Sequence, residues 1–155
     1  MAKSTTSLLQ RITAYCAESE RCTHDAVAKL KSWGASPEEI DDLLQKLYAE
    51  KFIDDKRFAQ SYVSEKWNLD KWGKIKIANG LEAKVIDEKI IQDSLDTISD
   101  EEYMQGLNEL LLKKSKEISA GKSAGDARKL MSFALSRGFE EELVMEWLEG
   151  QGYEL

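Results

Sequence analysis

The strongest helix signal in the chain is the stretch Ser36-Pro37-Glu38-Glu39-Ile40-Asp41-Asp42-Leu43-Leu44-Gln45-Lys46-Leu47. Ser36 can cap the first turn, Pro37 suits the first helical position, and Glu39 can complete a capping box with Ser36. The apolar residues that follow fall on one helical face: Ile40, Leu43, Leu44 and Leu47. The stretch therefore predicts an amphipathic helix that needs a partner to cover its apolar face.

The residues that precede this helix predict two more helices. Thr23 can cap a helix that carries Ala26 and Leu30, and Gly34 can end it in the left-handed conformation. Before Thr23, apolar residues at helical spacing predict another helix; they are Leu8, Leu9, Ile12 and Tyr15. The first part of the chain is thus a helical triplet.

This triplet recurs along the chain. Aligning Gly34 with Val85 and Gly138 gives offsets of 51 and 53 residues, a spacing typical of helical repeats. The same alignment superimposes apolar positions: Ile40 on Ile91 and Val144, Leu44 on Leu95 and Leu148, and Leu30 on Leu81 and Ala134. We therefore predict Ile40, Ile91 and Val144 to be equivalent and buried.

The repeats predict an all-α fold of three three-helix, helix-turn-helix-like units, at residues 1–52, 53–98 and 99–155. Because such a unit exposes its apolar face when alone, the units are expected to stack into an elongated curved array. The third unit begins with Ser99 and Glu102, which predict a second capping box. Asn79-Gly80 is a turn signal, but the apolar positions around it favour a continuous helix.

Charge is unevenly distributed. The net charge is −7. However, residues 66–84 carry +3 and residues 113–137 carry +5, which leaves −15 on the rest. The negative net charge excludes a uniform attraction of the whole protein to DNA. The separation of charge into two basic segments of an acidic chain is therefore more informative than the total.

The residues for common catalytic chemistry are missing from the sequence. His24 is the only histidine, and its position in a first helical turn predicts an exposed residue. Cys16 and Cys22 have no partners for a metal site and are expected to be small buried residues. No glycine-rich phosphate loop is present. The sequence favours a non-enzymatic protein without metal, cofactor or small-molecule substrate.

The best functional candidate is the segment Lys66-Trp67-Asn68-Leu69-Asp70-Lys71-Trp72-Gly73-Lys74-Ile75-Lys76. Its tryptophans could bind a partner beside the lysines, or both could be core residues; the residues favour neither. The spacing places Lys71 and Lys74 one helical turn apart. A second basic cluster contains Lys113, Lys114, Lys116, Lys122, Arg128 and Arg137, for which ordinary charge complementation of helix ends is the favoured interpretation.

One motif resembles a known family. The stretch Ile53-Asp54-Asp55-Lys56-Arg57-Phe58-Ala59-Gln60-Ser61-Tyr62-Val63 is similar to the signature of the RecX family of bacterial regulatory proteins. The basic segment at 71–77 and the repeat ends near Gly34 and Gly138 fit the same family, so the resemblance extends from about Ser7 to Gly150. Val85 stands where the family usually has glycine, and a β-branched residue avoids positive φ, so a different geometry is expected there.

The resemblance implies a regulator that binds the RecA filament on single-stranded DNA and restrains its ATPase, strand exchange and coprotease activities. It places the main contact in the central unit; the residues expected there are Arg57, Lys66, Lys71, Trp72, Lys74 and Lys76. Lys113, Lys114, Lys122, Arg128 and Arg137 would face DNA or an acidic filament surface. Because this chain is acidic, a protein partner is favoured over direct DNA binding.

Two other functions stay open. A helix-turn-helix regulator that reads duplex DNA would need base-reading residues at the start of a recognition helix, but the third helices of all three units begin with acidic residues. A helical adaptor for an unrelated partner is compatible with the sequence.

Met1 to Arg11 lacks the apolar core of a signal peptide, and no stretch is long and apolar enough to span a bilayer. We expect a cytoplasmic monomer.

Overall fold

The computed structural model describes residues 5–118 and 121–155. Within these ranges the chain forms nine helices and no strand, which confirms the predicted all-α class. The helices are α1 (Thr5–Glu18), α2 (Thr23–Ser32), α3 (Pro37–Ala49), α4 (Asp55–Asn68), α5 (Lys74–Ala83), α6 (Glu88–Leu95), α7 (Asp100–Ser115), α8 (Ala124–Ser136) and α9 (Glu141–Gly150). Helix α5 runs through Asn79-Gly80, as predicted.

Helix starts follow the local signals at two predicted places and depart from them at a third. The Ser36 hydroxyl accepts from the Glu39 N–H at 3.2 Å, and the Glu39 carboxylate accepts from the Ser36 N–H at 3.0 Å. Ser99 likewise accepts from the Glu102 N–H at 3.1 Å. Thr23, however, is the first residue of α2 rather than its cap.

The Thr23 prediction is wrong because a distant side chain competes for the residue. The Thr23 N–H donates to Asp55 at 2.8 Å, and its hydroxyl lies 2.6 Å from the Tyr48 hydroxyl. Cys22 takes the cap position with extended backbone, and its N–H donates to Asp25 at 3.4 Å. A cap choice among adjacent residues is thus decided by contacts that local sequence does not specify.

The second helix of each triplet ends in the same way. Gly34, Val85 and Gly138 all have left-handed backbone, with φ of +81°, +56° and +94°. At Val85 the N–H donates to the Glu82 carbonyl at 2.9 Å, and the next N–H, of Ile86, donates to the Leu81 carbonyl at 3.2 Å. This is the Schellman arrangement, found also at the two glycines. The expectation of a different geometry at Val85 is therefore wrong.

Burial confirms the register of the triplets. Ile40, Ile91 and Val144 are at most 6% exposed. Leu30, Leu81 and Ala134 are fully buried. Equivalent positions therefore serve the same packing role in all three triplets, which is the physical content of the 51- and 53-residue offsets.

The chain divides into two compact units. The first contains residues 1–62 and 81–94, and the second contains residues 63–80 and 95–155. The division into repeats at 1–52, 53–98 and 99–155, and their stacking into a curved array, stay predictions.

An apolar core and one charged pair stabilise the first unit. Leu8, Ile12, Leu30, Leu43 and Leu47 are at most 1% exposed and belong to a single cluster. The Lys84 ammonium lies 2.7 Å from the Asp25 carboxylate, whose side chain is only 12% exposed. Burial alone would raise the pKa of Asp25, but the hydrogen bonds from Lys84 and the Cys22 N–H outweigh burial and lower it.

Both cysteines are free and buried in the first unit, as expected. Burial raises the pKa of the Cys22 thiol to about 11, so the thiol stays protonated and unreactive at neutral pH. His24 is exposed, which confirms its predicted solvated position.

Candidate interaction surface

The two tryptophans of the basic segment have different roles, which the residues alone did not distinguish. Trp67 is 7% exposed and packs against Tyr103 and Phe139, with ring centroids 5.3 and 6.3 Å away. Trp72 is only half-buried. Trp67 is therefore a core residue of the second unit, and Trp72 is the one available to a partner.

The core position of Trp67 depends on two residues of α7. A Cβ at Gly106 would lie within 2.7 Å of two indole carbons, so glycine is required where the ring lies. The indole N–H donates to the Glu102 carboxylate at 2.9 Å. That carboxylate makes no bond to the Ser99 N–H, so only half of the predicted second capping box forms. A buried indole donor needs an acceptor, and this need outweighs a cap bond available from water.

Two ammonium groups lie over the Trp72 ring. The Lys66 Nζ is 4.7 Å from the ring centroid, and the Lys76 Nζ is 4.5 Å from it. Such cation–π contacts hold the lysine chains in place and keep the ring oriented. We call Lys66, Lys71, Trp72, Lys74 and Lys76 the Trp72 surface.

A close backbone contact positions the Trp72 surface. The Gly73 N–H donates to the Arg137 carbonyl at 2.6 Å, and the Ile75 N–H donates to the Gly138 carbonyl at 3.0 Å. A Cβ at Gly73 would lie within 2.6 Å of Gly138 O and C and of Phe139 N. The connection before α5 is thus fixed against the end of α8, with room only for glycine.

Lys71 and Lys74 do not share a helix, so the prediction that one helical turn separates them is wrong. Helix α5 begins at Lys74, and Lys71 lies before it with left-handed backbone, φ +59°. The Trp72 N–H reaches back to the Lys66 carbonyl at 3.0 Å and closes this turn. The side chain of Lys71 is exposed.

The other lysines of the surface are tied to the protein. The Lys74 Nζ lies 3.4 Å from the Ile98 carbonyl and 4.9 Å from the Tyr103 ring centroid. The Lys76 Nζ lies 3.5 Å from the Ser136 carbonyl. Lys66 forms an ion pair with Asp70 at 3.2 Å. Lys71 therefore presents the most accessible charge of the set.

Tyr103 and Glu140 support this surface, although sequence reasoning assigned them no such role. The Tyr103 hydroxyl accepts from the Lys74 N–H at 2.9 Å and donates to the Glu140 carboxylate at 2.5 Å. Burial and then the Glu140 carboxylate raise the pKa of Tyr103, so the phenol stays neutral. Lys74 and Tyr103 are 29 positions apart in the sequence, and Tyr103 and Glu140 are 37 positions apart. No local sequence pattern predicts contacts over such separations.

Arg57 and Arg137 are partly engaged. The Arg57 Nε lies 2.8 Å from a Glu20 carboxylate oxygen, and its Nη1 donates to the Lys51 carbonyl at 3.0 Å, within the first unit. In the second unit, the Arg137 Nη1 donates to the Asp70 carbonyl at 3.2 Å. Both side chains thus stabilise turns, whatever else they contact.

The remaining basic residues divide into tied and exposed groups. Lys114 pairs with Glu117 at 3.0 Å, and the Lys122 Nζ donates to the Gln151 carbonyl at 2.7 Å. Lys113, Lys116 and Arg128 are exposed. The expected basic face of the third triplet therefore depends mainly on these three residues.

Among the described residues no group of three or more His, Cys, Asp or Glu side chains is placed to hold a metal ion. Across 5–118 and 121–155, no helix has both the length and the apolar character needed to cross a membrane.

The fold places the chain among all-helical proteins built from three-helix domains, and comparison with known proteins gives the family. The model of the second three-helix domain of RecX matches residues 54–95. The regulatory protein RecX of Finegoldia magna is 30% identical over 128 residues, which cover 80% of this chain and 62% of that protein. These similarities support assignment of the chain to the RecX family.

Solved structures agree on the fold. The crystal structure of RecX from Lactobacillus salivarius matches with a TM-score of 0.83 and 22% identity, covering 95% of both chains; it supports the fold alone. A second crystal structure, of a regulatory protein RecX, matches with a TM-score of 0.83 and 26% identity over 94% of this chain and 73% of the other. The chain spans between 50% and 62% of the length of the first three curated relatives.

Proposed function

We propose that this protein binds the RecA filament on single-stranded DNA and restrains its ATPase, strand exchange and coprotease activities. Membership of a family whose relatives are named regulatory proteins supports a regulatory role. In this proposal the protein acts in DNA repair and the SOS response, in the cytoplasm, as a monomer without cofactor or catalytic activity.

The observation that carries the proposal is the half-buried Trp72 ring with the Lys66 and Lys76 ammonium groups over it. A tryptophan held by rigid neighbours loses little entropy on binding, and such residues commonly dominate protein interfaces. Lys71, on the adjacent turn, adds an accessible positive charge that suits carboxylates on a protein partner. The Trp72 surface is therefore the proposed contact with RecA.

Bridging would strengthen this contact. If the three predicted repeats stack and contact more than one filament protomer, the linked contacts would gain affinity through effective concentration. Exposed Lys113 and Arg128 are the proposed residues for DNA or an acidic filament surface.

Sequence-specific binding of duplex DNA receives less support. The third helix of each triplet carries acidic residues in its first turn: Glu38 and Glu39 in α3, Glu88 in α6, and Glu141 and Glu142 in α9. Carboxylates at these places repel the phosphates that a recognition helix must approach. An adaptor role with another partner is the remaining alternative.

The test compares two lysines with the same backbone. Lys71 and Lys51 are both exposed and have φ of +59° and +58°. Lys71→Glu should weaken inhibition of the RecA single-stranded-DNA-dependent ATPase by about tenfold, and Lys51→Glu should leave it unchanged. Charge reversal at Lys74 or Lys76 is avoided because their ammonium groups lie beside backbone carbonyls.

Trp72→Ala tests the aromatic part of the surface. Loss of an interface anchor costs ~2 kcal/mol or more, which corresponds to about a thirtyfold weaker inhibition. Circular dichroism should show unchanged helical content. If both Lys71→Glu and Trp72→Ala inhibit RecA as wild type does, the Trp72 surface is not the contact, and Lys113 and Arg128 become the residues to test.

A further inference from the structure

A second cationic surface lies in the first unit, far along the sequence from the basic segments. It is an open groove of about 470 Å³ between α1 and the end of α2. Its lining includes three cations and a single carboxylate; these residues are Arg11, Arg21, Lys29 and Glu18, with the rings of Tyr15 and Trp33. A local charge of +2 stands out in a protein whose net charge is −7.

The aromatic rings hold the cations in fixed positions. The Arg11 guanidinium carbon is 4.1 Å from the Trp33 ring centroid, and that of Arg21 is 3.9 Å from the Tyr15 centroid. The Lys29 Nζ lies between the two rings, 5.3 Å from Tyr15 and 5.6 Å from Trp33. A ring orients a cation without neutralising it, because the ring attracts the cation but carries no charge. Among these three cations only Arg21 also has a carboxylate partner in the described part of the chain, Glu18.

One donor in this groove is left without an acceptor. The Arg11 Nη1 is buried and has no hydrogen-bond partner among the described residues. A buried, unpaired donor of a charged group is costly unless an acceptor reaches it. Arg21 is already engaged, since its Nε donates to the Tyr15 carbonyl at 3.2 Å and its Nη2 lies 3.4 Å from Glu18. Arg11 and Lys29 form no ion pair among the described residues, and Lys29 is exposed while Arg11 is half-buried, so these two cations can pair with an incoming anion.

The geometry favours a carboxylate-bearing peptide over a nucleic acid. Single strands bind by stacking bases on free aromatic faces, but here cations already lie over the rings of Tyr15 and Trp33. A polyanion would also meet the surrounding negative charge of the protein, whereas a short acidic peptide places its charge only in the groove. A planar guanidinium is suited to a carboxylate.

We propose that the groove lined by Arg11, Lys29 and Trp33 is a docking site for an acidic segment of a protein partner, in which a Glu or Asp carboxylate binds Arg11 and Lys29. The site is separate from the Trp72 surface, and it does not depend on RecA being the partner. Two surfaces of the same sign would let the protein make more than one contact with an acidic assembly.

The experiment titrates the whole protein with a short acetylated and amidated peptide rich in Glu and Asp, followed by heteronuclear NMR. The Arg11 Nε–H and Trp33 indole N–H signals should shift, while the Trp72 indole signal should not. Matched variants on one helix test the charge: Lys29→Gln should weaken binding by about tenfold, and Lys31→Gln, an exposed neighbour, should not. Arg11→Lys, which keeps the charge but loses the fork, should also weaken it.

Several results would overturn this proposal. They are shifts confined to the Trp72 surface, no shifts at all, or equal binding by the Lys29→Gln and Lys31→Gln variants. Oligodeoxythymidine that shifts the Arg11 and Trp33 signals in place of the peptide would assign the groove to nucleic acid instead. Because Lys29 is exposed, its variant should remain folded even if Arg11 proves necessary for stability. RecA is absent from the assay, so its outcome is independent of the proposed filament regulation.

Discussion

Replacement of Gly73 by alanine tests whether a close backbone contact positions the Trp72 surface. The added Cβ would lie within 2.6 Å of three backbone atoms at Gly138 and Phe139, whereas ordinary contacts begin near 3.4 Å. Backbone cannot rotate away as a flexible side chain does, so the two segments must separate. Separation would weaken the bonds from Gly73 to the Arg137 carbonyl and from Ile75 to the Gly138 carbonyl.

The expected loss combines these effects. Overpacking costs ~1–3 kcal/mol and two weakened hydrogen bonds cost ~1 kcal/mol each, so Gly73→Ala should lower the free energy of unfolding by roughly 3–5 kcal/mol. For a chain of this size that corresponds to a fall in Tm of about 10 °C. The proposed inhibition of RecA should weaken as well, since Trp72 adjoins the displaced residue.

Urea unfolding followed by tryptophan fluorescence measures the change. Gly150→Ala is the control, because a Cβ at Gly150, the last residue of α9, meets no atom within 4 Å. The control should match wild type or gain a few tenths of a kcal/mol. If Gly73→Ala unfolds within ~0.5 kcal/mol of wild type, the connection is more adaptable than its contacts indicate, and the positioning argument fails.

Two further predictions concern stability. Val85→Gly should raise the free energy of unfolding by ~0.5–1 kcal/mol, since the left-handed backbone costs a branched residue ~1–2 kcal/mol, glycine loses part of that gain to entropy, and Val85 is 72% exposed; a lower Tm would contradict this. Lys84→Met should cost ~0.5–1 kcal/mol at neutral pH. The pKa of Asp25 is lowered, so the stability that this carboxylate contributes is present above its ordinary pKa of 3.8 and is lost as pH falls through the pKa of the folded state. The pKa of Lys84 is raised, so the stability that this ammonium group contributes is present below its ordinary pKa of 10.5 and is lost as pH rises through the pKa of the folded state. The free energies of unfolding of wild type and Lys84→Met should therefore converge at low and at high pH. A difference between them that stays constant below pH 3.8 would refute the Asp25–Lys84 pairing.

Local signals were sufficient for most of the helices, although they misplaced the cap of α2. The Ser36 cap, the Gly34 stop and the apolar spacing around Ile40 each act within a few residues, so their energies are nearly the same in any surroundings. The repeat register followed from the same signals, because three triplets built on one pattern bury equivalent positions. The fold class, the order of the helices and most of the core could therefore be predicted from the sequence.

Positions whose conformation depends on distant residues could not be read in this way. Val85 adopts positive φ because the two hydrogen bonds of the helix stop, and the burial of Ile86 after it, outweigh its intrinsic preference. Lys71 lies outside α5, in the connection that packs closely against Gly138 through Gly73. Both outcomes are set by packing between residues that local patterns treat separately.

The candidate surfaces show the same division between sequence and tertiary structure. The residues alone show that Trp67 and Trp72 lie in a basic segment of an acidic, helical chain. Packing places Trp67 in the space left by Gly106 and leaves Trp72 half-buried, with two ammonium groups over its ring. Packing alone brings Arg11, on α1, over Trp33 at the end of α2. The physical reason is that exposure and cation–π contact depend on what packs nearby in space, whereas caps and periodicity depend on what lies nearby in sequence.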